Sequence, residues 1–137
     1  MNENSVVILS DRALLSVIGV EGPGFLQGLV TNDICLVSSE RTIYASLLTA
    51  QGKYLHDFII FEHTKGQEKI LVLDGERDRI NELEQKLMMY RLRKKIEFKN
   101  VTEDFNILCI NSETLTGAYN LSGEGSCKWI DQCLVTV

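Results

Sequence analysis

The sequence predicts an α+β fold, an antiparallel sheet with two main helices packed on one side. Three observations predict it. Residues 42–49 and 54–63 are rich in strand formers and flank Ala50-Gln51-Gly52-Lys53, whose glycine can supply the positive φ of a tight connection, so the pair reads as an antiparallel hairpin. Two stretches, one opening at Gly22-Pro23-Gly24 and one at Asp74, place apolar side chains at helical spacing. Further β-branched and aliphatic runs on either side read as strands.

In chain order, residues 6–9 and 14–20 are aliphatic runs separated by Ser10-Asp11-Arg12, two short strands with a polar corner. Pro23 suits the first position of a helix, where its missing N–H is no loss, and Phe25, Leu26, Leu29 and Val30 then form one apolar stripe. Asn32 and Asp33 close that helix. After the hairpin, residues 69–73 form a third strand beside it. Asp74 caps the second helix, with Glu76 and Asp78 in its first turn and Ile80, Leu83, Leu87 and Tyr90 on one face. Arg91, Arg93, Lys94 and Lys95 follow its end, where positive charge complements the dipole. Residues 96–101, 105–110, 115–120 and 128–135 are further strands.

Composition narrows the function. The 137 residues are 45% hydrophobic and 24% charged, with one proline, which fits one compact domain and excludes disorder and low complexity. Fourteen Lys plus Arg against nineteen Asp plus Glu leave a net charge of −5, unsuited to gripping a phosphate backbone, so no nucleic acid is expected. No apolar run approaches the roughly 18–20 residues of a bilayer span, and no export signal opens the chain, so the expectation is a cytoplasmic protein with no membrane partner. Cys35, Cys109, Cys127 and Cys133 are not spaced as metal knuckles and read as small buried thiols; no metal is expected. No phosphate loop, Ser-His-Asp set or HExxH is present.

One carboxylate stands in unusual company. Strand alternation puts Leu55, Asp57, Ile59 and Phe61 on one face of the hairpin's second strand, and Tyr54, His56, Phe58, Ile60 and Glu62 on the other. Asp57 therefore sits in an apolar row. Left unpaired there it costs several kcal/mol or takes up a proton, so it is satisfied either by backbone amides or an arginine, or by a polar heterocycle bound in an apolar pocket. His56 and His63 fall on opposite faces and share no metal. The run from Tyr90 to Lys95 is the one local excess of positive charge, able to hold carboxylates or a phosphate or simply to be solvated.

Three stretches together resemble the folate-binding superfamily of the glycine-cleavage T-protein, and especially its YgfZ branch of iron-sulfur cluster assembly proteins. Ser10-Asp11-Arg12, Val17-Ile18-Gly19-Val20-Glu21-Gly22 and Phe25-Leu26-Gln27-Gly28-Leu29-Val30-Thr31-Asn32-Asp33 are similar to the family's opening; Tyr44-Ala45-Ser46-Leu47-Leu48-Thr49-Ala50-Gln51-Gly52-Lys53 running into His56-Asp57-Phe58 is similar to its hairpin; Leu71-Val72-Leu73-Asp74 with Tyr90-Arg91-Leu92-Arg93-Lys94-Lys95-Ile96 is similar to its third segment. Nothing matches the KGCYxGQE motif of YgfZ-type proteins; Gly125-Ser126-Cys127-Lys128 is only a superficial echo.

The resemblance implies a fold of the T-protein and TrmE folate-binding type, with residues 1–110 as the folate-binding domain and 111–137 as additional strands or a tail of it. It implies tetrahydrofolate or a reduced derivative as cofactor. Tyr44, Asp57, Ile59 and Phe61 then line the pterin site, with Asp57, its pKa raised, as the catalytic or proton-transferring group, His56 standing where T-proteins have another aspartate, and Arg91 and Arg93 meeting the folate's glutamate carboxylates. The implied function is iron-sulfur cluster assembly or repair, with iron-sulfur proteins as partners. The alternatives are an aminomethyltransferase producing methylenetetrahydrofolate and ammonia, or a scaffold without ligand. As in TrmE, a homodimer is expected to complete the pocket.

Overall fold

The computed structural model describes residues 5–111, 121, 125–130 and 133–136. A five-stranded antiparallel sheet is its centre, in the order β3 (Ile43–Leu48), β4 (Tyr54–Lys65), β5 (Glu68–Glu76), β2 (Arg12–Ile18) and β6 (Glu97–Asn100). Alternation along these strands gives two apolar faces. Ala13, Leu15 and Val17 of β2, Ile43, Ala45 and Leu47 of β3, Phe58 and Ile60 of β4, and Leu71 and Leu73 of β5 point one way. Both helices cover that face: α1 (Gly22–Gln27) with Phe25 and Leu26, and α2 (Ile80–Arg91) with Ile80, Leu83 and Leu87. The α+β expectation with two helices on one side holds.

The opposite face carries a second layer that the sequence did not announce. β1 (Ser5–Ile8), β7 (Asn106–Asn111), β9 (Cys133–Thr136) and β8 (Cys127–Ile130) form a four-stranded sheet in that order, with β7 and β9 parallel. Ile107 and Cys127 from it pack on Leu14, Phe61, Ile70 and Val72 of the larger sheet. The sheets are also stitched through the backbone: Thr42 N–H donates to Gly125 O at 2.8 Å and Cys127 N–H to Glu40 O at 2.9 Å.

The hairpin forms as expected, with Gly52 at φ +82° and Thr49 N–H donating to Lys53 O at 2.7 Å. Several expectations are corrected. α1 ends at Gln27, short of Asn32. Asp74 is not a helix cap: β5 runs through it to Glu76, and α2 begins only at Ile80. In the ladder Asp74 lies between Leu14 and Ile59, where its carboxylate gains Arg12 as a partner, an interaction stronger than an exposed cap. Tyr90 is partly exposed and lies off the buried stripe of α2. The strand expected over 115–120 lies outside the described residues. Cys127 is buried, as expected of a small apolar thiol, and its pKa is pushed up to about 11 by burial, whereas Cys35 is exposed. Among the described residues no helix is long and apolar enough to cross a membrane.

Candidate functional site

Strand pairing sets Tyr44 opposite Ile59 and Ser46 opposite Asp57, so Tyr44, Asp57 and Ile59 share the face turned away from the helices. A register shift follows: Leu47 pairs with His56 but Leu48 with Tyr54, leaving Leu55 as the extra residue of a bulge. The bulge overturns strict alternation at Tyr54, whose hydroxyl comes to Asp57. Tyr44 Oη donates to Asp57 Oδ2 at 2.6 Å, and Tyr54 Oη donates to Oδ1 at 3.1 Å.

This corrects the expected state of Asp57. The fully buried row of β4 is His56, Phe58 and Ile60, while Asp57 is half-buried and already satisfied by two tyrosine hydroxyls. Its pKa is lowered, not raised: the Tyr44 hydrogen bond holds the carboxylate in its charged form more strongly than partial burial opposes it. Tyr44 is raised in turn, first by donating to Asp57. His56 faces the helices, 4% exposed, its Nε2 3.7 Å from Glu82 Oε1 and without a hydrogen bond among the described residues. Burial lowers its pKa, assisted by the Arg79 charge.

Beside the hairpin the two sheets part around a cavity of 440 Å³, within the roughly 300–1,000 Å³ of small-molecule sites. Tyr44, Ile59 and Phe61 line it, so three of the residues singled out from the sequence meet there. Leu9, Ile107 and Cys109 close it from the smaller sheet's side, and Gly125 joins them. Asp57 is not on its wall; it stands behind Tyr44 and fixes that ring's hydroxyl. Arg91 and Arg93 are not there either. They sit at the end of α2, on the helical side of the large sheet, and Arg91 Nη1 spends itself on Ile96 O at 3.1 Å. The basic cluster belongs to the helix end and does not line this cavity.

Three polar side chains that sequence reasoning passed over do line the cavity. Asn32, read as a helix stop, donates from Nδ2 to Tyr44 O at 2.9 Å and anchors that strand. Arg41 stands exposed at the rim. Asp74 is 2% exposed, with Arg12 Nε donating to its Oδ1 at 2.9 Å. Burial raises its pKa, and the Arg12 charge opposes that rise. The signal for Asp74 was available: the alternation in Ile70-Leu71-Val72-Leu73-Asp74 puts this carboxylate in line with Ile70 and Val72, both buried. Among the described residues no group of three or more His, Cys, Asp or Glu side chains converges as metal ligands.

No protein-family profile matches the chain. Individual proteins do. It is 34% identical over 94 residues to the mitochondrial iron-sulfur cluster assembly factor IBA57 homolog of Neurospora crassa, covering 66% of this chain and 21% of that protein. The Dictyostelium discoideum IBA57 homolog is 31% identical over 131 residues, covering 80% of this chain and 32% of that one. Mouse (Mus musculus) IBA57 is 34% identical over 99 residues, covering 64% and 27%. The crystal structure of the glycine cleavage system aminomethyltransferase T from Bartonella henselae superposes with a TM-score of 0.71 over 95% of this chain and 37% of that one, at 14% identity, a likeness of fold.

The chain belongs to the YgfZ and T-protein superfamily.

It spans about a fifth to a third of the length of these IBA57 relatives. The hairpin contributes Tyr44, Ile59 and Phe61 to one wall of the cavity. The cytoplasmic expectation is corrected: each of the three relatives is named as a mitochondrial protein.

Proposed function

We propose that this chain is the reduced-folate-binding part of a mitochondrial iron-sulfur cluster assembly factor, and that the ligand occupies the space between the two sheets. The observation that carries the reading is the 440 Å³ cavity walled by Tyr44, Ile59 and Phe61. Ile59, partly exposed, offers an apolar surface backed by the buried Phe61, and Tyr44 is oriented by its bond to Asp57 and by the Asn32 bond to its backbone carbonyl. Asp57 acts here as a positioning residue for Tyr44. The stretches 1–110 and 111–137 work as one unit, because Gly125 contributes to the same wall as Cys109. Iron-sulfur proteins are the partners, by likeness to the IBA57 relatives. A second copy of the chain is proposed to close the open side of the pocket, and mass in solution tests it: a strict monomer at high micromolar concentration removes that element.

Aminomethyl transfer is the weaker reading. A carboxylate whose pKa is lowered by two tyrosine donors stays ionised at neutral pH and is a poor carrier of protons. A thermal-unfolding series against reduced folates tests the proposal, since a ligand selective for the native state raises the midpoint. A rise that saturates with folinic acid supports it; an unchanged midpoint at millimolar ligand points to the ligand-free scaffold instead.

A further inference from the structure

Ile18, the last residue of β2, pairs with Glu97, the first of β6, so the turn that follows β2 and the turn that precedes β6 lie at the same end of the large sheet. Gly22 N–H donates to Gly19 O at 3.0 Å and closes the first turn; Lys94 N–H donates to Arg91 O at 3.1 Å and closes the second. The two are locked together. Lys95 N–H donates to Glu21 Oε2 at 2.7 Å, and a Cβ at Gly19 would stand 2.5 Å from Lys95 O, so only glycine permits this approach. Each turn carries an aliphatic residue at its first corner, Val20 and Leu92. They are 99% and 83% exposed, more than any other large apolar side chain among the described residues.

Leu92 is held there at a cost. Its φ +54° and ψ −117° are those of the first corner of a type II′ turn, which favours glycine, and among the described residues no other non-glycine residue has positive φ. Strain kept at a side chain that the chain itself does not bury points to a contact made outside it. Arg93, Lys94 and Lys95 follow directly, all exposed, and their side chains make no hydrogen bond or ion pair among the described residues. Glu21, the one acidic residue of the two turns, has an oxygen engaged by Lys95 N–H. In a chain of net charge −5 the two apolar corners thus sit beside unpaired cations. The surface with matching chemistry is an anionic bilayer: aliphatic tips enter the boundary between headgroups and acyl chains, and neighbouring lysine and arginine reach the lipid phosphates. A protein interface draws instead on aromatic and arginine anchors and is poor in lysine, and neither turn carries an aromatic ring.

We propose that these two turns form a peripheral docking surface for an anionic lipid bilayer, with Val20 and Leu92 entering it and Arg93, Lys94 and Lys95 meeting its phosphates. This contact is independent of the reduced-folate reading. It departs from the expectation of no membrane partner, which concerned spanning segments.

Co-sedimentation of the whole chain with vesicles of phosphatidylcholine and phosphatidylglycerol, against vesicles of phosphatidylcholine alone, tests it. Binding is expected to the anionic vesicles only, and to fall at about 1 M salt, where screening acts within about 3 Å. Leu92→Gly and Val20→Ser are each expected to weaken it about tenfold, the worth of one aliphatic side chain withdrawn from lipid. Changing Arg93, Lys94 and Lys95 to glutamine is expected to weaken it about fivefold per charge removed. Leu92→Gly also relieves the strained corner, so lost vesicle binding in a variant that unfolds no earlier than wild type separates docking from folding. Equal binding to both vesicle types, binding to neither, or wild-type binding by Leu92→Gly and Val20→Ser overturns the proposal. Displacement from the vesicles by soluble polyglutamate, with the two apolar variants unaffected, assigns the cations to an acidic protein and overturns it too.

Discussion

Tyr44 and Asp57 share a 2.6 Å hydrogen bond across the hairpin, and it drives their acidities apart: the carboxyl falls below its ordinary value and the phenol rises above its own. Tyr44→Phe is therefore expected to raise the Asp57 pKa toward the ordinary carboxylate value, read by carbon-13 titration of the carboxyl. The sign for stability follows. A depressed folded pKa contributes stability above the unfolded value near 3.8 that is lost as pH falls through the folded value, so Tyr44→Phe flattens that acid loss.

Arg12 and Asp74 form the buried pair of the large sheet, with side chains 24% and 3% exposed. Arg12→Gln leaves the carboxylate without its counter-charge and is expected to cost about 3 kcal/mol in urea unfolding, at the low end for a broken buried pair. Replacing both, Arg12→Gln with Asp74→Asn, is expected to cost less than the single change, because no charge is then stranded. Equal or greater loss in the double variant contradicts that account.

His56 is buried, its Nε2 without a hydrogen bond among the described residues, and burial lowers its pKa below the ordinary 6.5. Protonation then opposes folding, so the contribution of this group declines as pH falls from 6.5 toward the lowered folded value. His56→Leu removes a titrating group from this buried position. Its stability is expected to change less than wild type between neutral pH and about pH 5, measured by denaturant midpoints. A parallel pH profile for the two proteins contradicts the buried state.

Leu92, directly after α2, holds φ +54° and ψ −117° while its side chain is 83% exposed. Strain at a non-glycine residue of this kind is of order 1–3 kcal/mol, and no burial offsets it here. Leu92→Gly relieves it, less roughly 0.5–1 kcal/mol of added backbone entropy, so a net gain of about 1 kcal/mol is expected in thermal or urea unfolding.

The hairpin and the second helix were legible because their determinants are local. Gly52 carries the positive φ its turn requires, and Ile80, Leu83 and Leu87 recur at one helical face. The cavity was not legible, because its walls meet through contacts far apart in the chain. Arg41 bridges to Ser126, Ile107 and Cys109 arrive from β7, and β7 pairs in parallel with β9, none of which a short-range pattern carries. Asp57 was correctly noticed as a carboxylate needing partners, yet its donors, Tyr44 across the strand and Tyr54 brought round by the bulge, were not derivable from alternation. The basic run at the end of α2 drew attention by its charge and stands apart from the cavity, while a single arginine at position 41 lines it.

The central claim is that a reduced folate fills the space between the sheets, and Cys109 is a reporter on that wall. The most direct measurement is the rate at which Cys109 is alkylated, followed by peptide mass spectrometry with and without folinic acid and with exposed Cys35 as the internal standard. A saturating ligand is expected to slow Cys109 several-fold while leaving Cys35 unchanged. Binding that leaves the Cys109 rate untouched, or no binding at all, contradicts the account.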